Sequence, residues 1–287
     1  MNSSILITGS TGTLGSSLYQ QLAKSGETVI AGARNTVAAQ RKLGADALIR
    51  AFDFADPSTF ENATKDVNRV FIVGPALNLE LDQLLAPFLD FLKDRGILRV
   101  VYISALGLDK IPELPFHTLI EQKLAADGFE FTILRPSFFA QNFKNFDWEN
   151  ITERGIIYTA GGNGKAGFIA VEDITAVAAT VLTEPGHLKK IYELTGPELL
   201  SYYDVAALLT EFTGKEVVYP NPDVNEFRSV LMAAGAPAFV GEYMSNVYGL
   251  IRNNHVDYLT DNVLEITGRN PTPLREVLKR DFSQVTV

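Results

Sequence analysis

The chain opens with a short apolar run that leads into three evenly spaced glycines. Residues 5–7 are Ile-Leu-Ile, and Gly9, Gly12 and Gly15 follow at three-residue intervals. Leucines then recur every four residues from Leu14, which is the spacing of an amphipathic helix. A strand, a glycine turn and a helix in this order suit a diphosphate, because the turn lets the backbone come close and the helix N-terminus offers unpaired N–H groups. Although glycines also serve ordinary turns, this order predicts a dinucleotide-binding domain.

Composition narrows the class of protein. The chain has 287 residues, of which 46% are hydrophobic, and this is enough for a large folded core. It contains no cysteine, which excludes disulfides, thiolate metal sites and a cysteine nucleophile. Its three scattered histidines do not predict a metal site. The net charge of −9 argues against nucleic acid as a partner, because a nucleic-acid-binding protein needs a basic face.

The first residues and the hydropathy pattern predict where the protein works. Residues 1–4 lead directly into the first strand, so we expect no signal peptide. No apolar run approaches the length of a membrane span. We therefore expect a cytoplasmic protein that acts on a small molecule away from membranes, with a homodimer left open.

Apolar runs and helical patterns alternate along the first half of the chain. Further strands are predicted at 28–33, 47–52, 70–73, 99–104 and 129–134, and a long helix at 77–92. This alternation predicts an α/β fold with a Rossmann-like, doubly wound parallel sheet.

After residue 136 the pattern changes. The later elements are predicted as a strand at 168–171, a helix at 172–182, a strand at 191–194, a helix at 202–212 and a mostly helical remainder from 223. We expect an NAD(P)-binding Rossmann domain over 1–150, with 166–185 packing onto it. A smaller, mostly helical substrate lobe is expected over 151–287, interleaved with the first domain. The glycine-rich stretch 161–167 predicts either a mobile cover over the site or an ordinary turn.

Arg34 ends the second predicted strand. NAD-specific folds usually carry an acidic residue there to hold the ribose 2′-hydroxyl. A guanidinium instead suits a 2′-phosphate, so Arg34 favours NADP(H) over NADH; a surface arginine beyond a strand is the alternative. Asp53 follows the third strand and is placed to accept a hydrogen bond from the adenine amino group, and Asp56 is predicted to cap the next helix.

Several short motifs recur along the chain in a recognisable order. They are Thr8-Gly-Ser-Thr-Gly-Thr-Leu-Gly15, Arg34-Asn35, Gly74-Pro75, Leu134-Arg135-Pro136 with Asn142, Asp173 in Val-Glu-Asp-Ile, and Tyr192-Glu-Leu-Thr-Gly196 before Leu200-Ser201-Tyr202. Their combination resembles the NmrA-like branch of the atypical short-chain dehydrogenases/reductases, in particular its quinone reductases and triphenylmethane-dye reductases. The resemblance runs to about residue 218 and implies NADPH binding and reductase activity.

The glycine turn, the strand ends and this resemblance together give the expected cofactor contacts. They are Gly9, Ser10, Thr11, Gly12, Thr13, Leu14, Gly15, Arg34, Asp53, Phe54, Val73, Gly74, Pro75, His117, Pro136 and Phe139. For Asp173, which opens a helix, a capping or first-turn role is the commoner explanation.

The usual general acid of short-chain reductases is missing. They use Tyr-x-x-x-Lys, and none of the ten tyrosines here is followed by Lys at that spacing. The helix after the fifth strand instead carries His117 and Glu121, whose spacing places them on one face within hydrogen-bonding reach. The carboxylate would raise the pKa of His117, whereas burial would lower it.

Relatives in this branch carry His or a nicotinamide-contacting Lys at the position of His117. The resemblance therefore implies that His117, oriented by Glu121, lies near the nicotinamide ribose or the substrate. Ser104 stands where related reductases place a substrate-orienting serine. The alternatives are a structural histidine that holds the 108–115 loop and a serine that caps local backbone.

The absence of the Tyr-x-x-x-Lys acid bears on which class of substrate the protein reduces. Reduction of a simple ketone needs a positioned proton donor, whereas a quinone, a dye or an enal spreads the incoming electrons over a conjugated system and mainly needs correct placement. A group of aromatic residues, which includes Phe146, would suit a planar acceptor, with core packing as the alternative. The expected substrate contacts are Phe138, Phe139, Asn142, Phe143 and Trp148.

Two functions fit these observations. The first is an NADPH-dependent reductase of quinones or similar conjugated acceptors. The second is a regulatory protein that senses NADP(H) without turnover, because some relatives in this branch do so and the missing Tyr-x-x-x-Lys is compatible with it. A reductase should have a cavity beside the nicotinamide, and a sensor should lack one.

Overall fold

The computed structural model describes residues 4–283. Within that range seven strands form one sheet. They are β1 (Ser4–Ile7), β2 (Thr28–Ala33), β3 (Leu48–Ala51), β4 (Val67–Ile72), β5 (Arg99–Ile103), β6 (Glu130–Pro136) and β7 (Lys190–Leu194). Every neighbouring pair is parallel, and the order across the sheet is β3-β2-β1-β4-β5-β6-β7. The predicted doubly wound Rossmann-like fold is therefore confirmed.

Helices cover both faces of the sheet. They are α1 (Thr13–Lys24), α2 (Thr36–Leu43), α3 (Phe60–Ala63), α4 (Leu81–Asp94), α5 (Phe116–Ala126), α6 (Asn142–Asn145), α7 (Trp148–Thr152), α8 (Val171–Thr183), α9 (Tyr202–Thr213), α10 (Val224–Ala233), α11 (Ala238–Arg252), α12 (Asn262–Thr267) and α13 (Leu274–Phe282). No helix in the described part of the chain is both long and apolar enough to span a membrane.

The two faces of the sheet bury separate apolar clusters. Side chains of a strand alternate between faces, so Ile5 and Ile7 pack with α1 and α8, whereas Leu6 packs with α4. The cluster that contains Leu6 and α4 continues through α5 into α9, α11 and α13. The later helices therefore share one apolar core with the helices α4 and α5.

The chain after residue 150 contributes to the sheet layer as well as to the later helices. Helix α8 packs against α1, and β7 extends the sheet beside β6. Two glycines of the 161–167 stretch are closely packed: a Cβ on Gly161 would lie 2.4 Å from the Tyr202 ring, and one on Gly164 would lie 1.7 Å from the Ile251 carbonyl oxygen. This packing favours a structural turn over a mobile cover.

Two predicted elements differ from the structure. The strand expected at 168–171 is reduced to a single bridge between Phe139 and Ile169, because α8 already begins at Val171. The helix expected at 77–92 begins four residues later, since Leu77 has a φ of 57° that a helix cannot accommodate. The expectation that no signal peptide precedes β1 concerns residues 1–3, which lie outside the described part.

Gly15 tests whether close packing governs the start of α1. A Cβ at this position would lie 2.3 Å from the carbonyl oxygen of Gly9. Helix propensity alone predicts that Gly15→Ala raises the free energy of unfolding by about 0.5–1 kcal/mol. The clash predicts the opposite sign, a loss of about 1–3 kcal/mol, which urea unfolding measures. Ser16→Ala, the neighbouring control in α1, should change stability by less than about 0.5 kcal/mol; a stabilised Gly15→Ala protein would contradict the packing.

Candidate active site

A cleft of about 650 Å³ opens at the carboxyl ends of β1 and β4, where the strand order reverses. Ligands of doubly wound sheets bind at this position. Ten of the predicted cofactor contacts line the cleft: Gly9, Thr11, Gly12, Thr13, Arg34, Asp53, Phe54, Val73, Gly74 and Pro75.

Buried hydrogen bonds fix the glycine turn to both neighbouring strands. The Thr8 hydroxyl donates to the Val73 carbonyl oxygen at 3.0 Å and accepts from the Val73 amide at 2.9 Å. The Ser10 hydroxyl donates to the Gly32 carbonyl oxygen at 2.8 Å. Gly9 takes a φ of 58°, which glycine adopts without strain. The turn is therefore held in place before any ligand arrives.

Three predicted contacts lie beneath the turn instead of lining the cleft. Ser10, Leu14 and Gly15 are buried. Their role is to shape the turn: Ser10 ties it to β2, Leu14 packs into the core, and Gly15 allows α1 to approach Gly9.

The N-terminus of α1 is open to an anion. Its cap residue is Gly12, no side chain caps it, and its first turn carries no acidic residue. The nearest atom to a Cβ built on Gly12 is the Gly9 carbonyl oxygen at 3.2 Å, so the cleft side is clear. Unpaired N–H groups and the positive end of the helix dipole favour a phosphate at this point.

Arg34 ends β2 at the rim of the cleft, exposed and without an ion pair to any described residue. Asn35 next to it caps α2 by accepting from the Ala38 amide at 2.9 Å. A second cation lies nearby, because Lys42 donates from Nζ to the Thr11 carbonyl oxygen at 2.6 Å. Lys42 is not among the cofactor contacts predicted from the sequence. Its one distinguishing feature there is that it lies in the last turn of α2.

Two aspartates follow β3 in the chain. Asp53 lines the cleft, and one of its carboxylate oxygens accepts from the Ala55 amide at 3.0 Å. Asp56 accepts from the Ser58 amide at 3.1 Å, which confirms its predicted capping role.

The predicted hydrogen bond between His117 and Glu121 is absent from the described structure. His117 pairs through Nδ1 with the Tyr102 hydroxyl at 2.5 Å, and Phe116 packs against its ring. Burial lowers the pKa of His117 to about 4 and outweighs the carboxylate of Glu121, which raises it. The imidazole is therefore neutral at pH 7, and it lines neither the cleft nor the smaller cavity described below.

Glu121 instead joins three elements. It accepts from the Ser104 hydroxyl at 2.5 Å and forms a two-pronged ion pair with Arg135, at 3.0 Å from Nε and 2.5 Å from Nη2. Both Ser104 and Glu121 are buried. These two predicted catalytic residues therefore link α5 to the ends of β5 and β6.

A second, smaller cavity of about 30 Å³ lies among the aromatic residues. It brings together four of the five predicted substrate contacts: Phe138, Phe139, Asn142 and Phe143. The fifth, Trp148, lies apart and stacks on Phe282 with ring centres 5.2 Å apart. Phe146 is 76% exposed and lines the large cleft.

Several residues that line this cavity were not among the predicted substrate contacts. Asp147, Thr159, Phe168, Tyr202 and Tyr248 complete its lining. They come from separate parts of the chain that only the fold brings together, so no local pattern marks them.

The remaining predicted residues have structural partners. Pro136 is buried at the end of β6 and its carbonyl oxygen accepts from the Leu106 amide at 3.0 Å. Asp173, in the first turn of α8, accepts from the amide and the hydroxyl of Thr272 at 2.6 and 3.1 Å. Across residues 4–283 no cluster of side chains is suited to hold a metal ion.

His117 provides a test of these electrostatics. Its folded pKa of about 4 lies below the unfolded value of about 6.5. Between these values only the unfolded chain binds the proton, so stability falls as the pH falls from about 6.5 to about 4, by up to about 3 kcal/mol. Imidazole resonances followed by NMR should show His117 titrating near pH 4. A midpoint near 6.5, or equal pH dependence of stability in His117→Asn, would contradict the burial.

Comparison with known proteins agrees with the geometry. The NmrA-like family model matches residues 1–270. An uncharacterized oxidoreductase of Bacillus subtilis is 34% identical over 275 residues, which are 95% of this chain and 93% of that protein.

Two solved structures share the whole architecture. The NADPH-dependent quinone oxidoreductase of Escherichia coli, complexed with NADPH, is 25% identical with a TM-score of 0.86, covering 96% of this chain and 99% of that one. The triphenylmethane reductase of Citrobacter sp., complexed with NADP(H), is 27% identical with a TM-score of 0.86, covering 97% and 99%. The chain belongs to the NmrA-like family.

Proposed function

We propose that the protein is an NADPH-dependent reductase that delivers hydride to a quinone or a similar conjugated acceptor, such as a dye or an enal. The observation that carries this proposal is Arg34 at the rim of a cleft whose floor is the open N-terminus of α1. That pairing of an unpaired guanidinium with a phosphate-binding turn suits a dinucleotide that bears an extra phosphate.

The residues present fit NADP(H). The turn at Gly12 and the first N–H groups of α1 would hold the diphosphate, and Arg34 would hold the 2′-phosphate. Asp53 and Phe54 would border the adenine, and Val73 to Pro75 would border the middle of the cofactor. The related Escherichia coli and Citrobacter reductases were crystallised with the same nucleotide. When bound, NADPH supplies the hydride.

The aromatic cavity is the proposed acceptor site. Phe138, Phe139 and Phe143 offer faces for a planar ring, and Asn142 offers hydrogen bonds to the acceptor or the cofactor carboxamide. Pro136 ends β6 and Phe139 follows it, and both are proposed to face the reactive end of the cofactor. His117 is proposed as a neutral hydrogen-bonding group close to that end, and Ser104 and Glu121 as the residues that hold the ends of β5 and β6 in place.

The size of the cavity favours a second candidate, a sensor that binds NADP(H) without turnover. A volume of about 30 Å³ holds about one water molecule, so an acceptor would have to widen it. A sensor would bind both oxidised and reduced cofactor and leave NADPH unoxidised.

One experiment separates the two. NADPH absorbance is followed with a panel of quinones, cationic dyes and enals, with NADH alongside. Oxidation of NADPH by at least one conjugated acceptor is expected. Measurable binding of NADPH without oxidation by any acceptor would favour the sensor.

Arg34→Ala tests the assignment of the 2′-phosphate. A charge-assisted hydrogen bond contributes about 1.5–3 kcal/mol, so the Kd for NADPH should rise by about 10- to 150-fold. Affinity for NADH should change by less than about threefold, because NADH lacks the phosphate. Titration calorimetry measures both. Lys24→Ala, which removes an exposed cation at the far end of α1, is the matched control; an unchanged NADPH/NADH preference in Arg34→Ala would refute the role.

A further inference from the structure

The segment from α6 to α7 borders both the cleft and the aromatic cavity. Phe146 lines the large cleft, and the next residue, Asp147, lines the small cavity. Asn145 ties the segment to the glycine turn through a hydrogen bond from Nδ2 to the Thr13 hydroxyl at 3.3 Å. Asp147 is therefore a carboxyl group in the wall of the proposed acceptor site, and its neighbour in the chain lies in the wall of the proposed cofactor site.

Polar groups converge on the small cavity with few partners of their own. Asp147, Thr159, Tyr202 and Tyr248 all line it. The Thr159 hydroxyl is buried and lies next to the hydroxyls of Tyr202 and Tyr219, but within residues 4–283 it makes no hydrogen bond of normal geometry. Because buried polar groups are nearly always hydrogen-bonded, this volume suits a water molecule or an oxygen atom of a ligand.

Asp147 stands at the N-cap position of α7, but its side chain does not cap the helix. It is the cap residue of α7, where an aspartate normally accepts from the first amides of the helix. Here its side chain makes no such bond. Its only polar neighbour that favours ionisation is the Asn150 side chain. Apart from this contact with Asn150, the carboxyl contributes to the wall of the small cavity.

The surroundings of Asp147 favour its protonated form more than water does for an exposed aspartate. Burial raises its pKa to about 6. The ionisable groups that face it are Tyr202 from α9 and Tyr248 from α11, with Tyr219 beyond them, and burial raises the pKa of each hydroxyl so that all stay neutral. No basic side chain in the described structure forms an ion pair with Asp147.

We propose that Asp147 is the proton donor for reduction of a quinone-type acceptor, an inference that rests on the proposed function. The acceptor gains a hydride with its electron pair, and one of its oxygens becomes an anion. The O–H bond of Asp147 breaks, its proton forms the new O–H bond on that oxygen, and the carboxylate takes a proton back from water. Quinone, hydride and proton together give hydroquinone, so charge and atoms balance.

The other candidates are poorer donors. His117 is neutral at pH 7 and lines neither cavity. Glu121 is occupied by its ion pair with Arg135 and its hydrogen bond from the Ser104 hydroxyl, and it lines neither cavity.

The chemistry of two acceptors separates proton donation from simple positioning. A quinone needs a proton after the hydride arrives. A cationic triphenylmethane dye takes the hydride at its central carbon and becomes neutral, so it needs none. Loss of a proton donor should therefore slow the first reaction and spare the second.

Three variants make the test. In Asp147→Asn, kcat with a benzoquinone should fall by about 100-fold or more, whereas kcat with the dye and the Kd for NADPH stay within about twofold of wild type. Asp147→Glu should recover part of the quinone rate. Glu149→Gln, an exposed acidic neighbour on α7, is the matched control and should behave as wild type.

The wild-type quinone rate should also fall as the pH rises through about 6, and Asp147→Asn should lose that dependence.

A second readout does not depend on turnover. Infrared difference spectra of the cofactor-free protein between about pH 5 and pH 8 should show the C=O stretch of a protonated carboxyl that Asp147→Asn lacks. Equal loss of both reductions, an unchanged quinone rate, or a missing infrared band would overturn the proposal. A wild-type protein that binds NADPH but reduces neither acceptor would contradict the proposed function instead, and proton donation with it, whereas the infrared band would still report the protonated carboxyl.

Discussion

The close approach of α1 to the glycine turn is the constraint on which the rest of the site depends. Gly9 must take a positive φ, and Gly15 must lack a Cβ for the helix to reach it. Thr8 and Ser10 then fasten the turn to β4 and β2 with buried hydrogen bonds. As a result, the unpaired amides of α1 face the cleft where the strand order reverses, and the cleft acquires its preference for phosphate.

Charge is distributed differently at the two ends of the site. Around the glycine turn the cleft combines a helix N-terminus with Arg34, and Lys42 lies beside Thr11, although the chain as a whole is acidic. The aromatic cavity holds polar groups in an apolar shell, where burial raises the pKa of Asp147 and of the hydroxyls of Tyr202 and Tyr248. Such an environment stabilises an uncharged planar molecule better than an ion.

The features that were predicted correctly from the sequence are those that short segments of the chain determine. The glycine turn, the alternation of strands and helices and the place of Arg34 after the second strand are properties of short segments, and the structure has them as expected. The partners of His117 and Glu121 were not predictable in this way, because Tyr102 and Arg135 come from neighbouring strands and compete with the i,i+4 pairing. The lining of the aromatic cavity likewise depends on Thr159, Tyr202 and Tyr248, which distant elements bring to Asp147. Asp147 itself shows no mark in the sequence, since its unusual environment arises only on folding.

A crystal structure grown with NADPH is the most direct test of the central claim that this cleft holds a pyridine dinucleotide with an extra phosphate. The expected density places the diphosphate over Gly12 and the 2′-phosphate beside Arg34. Density for the nucleotide elsewhere, or an empty cleft at saturating NADPH, would contradict it.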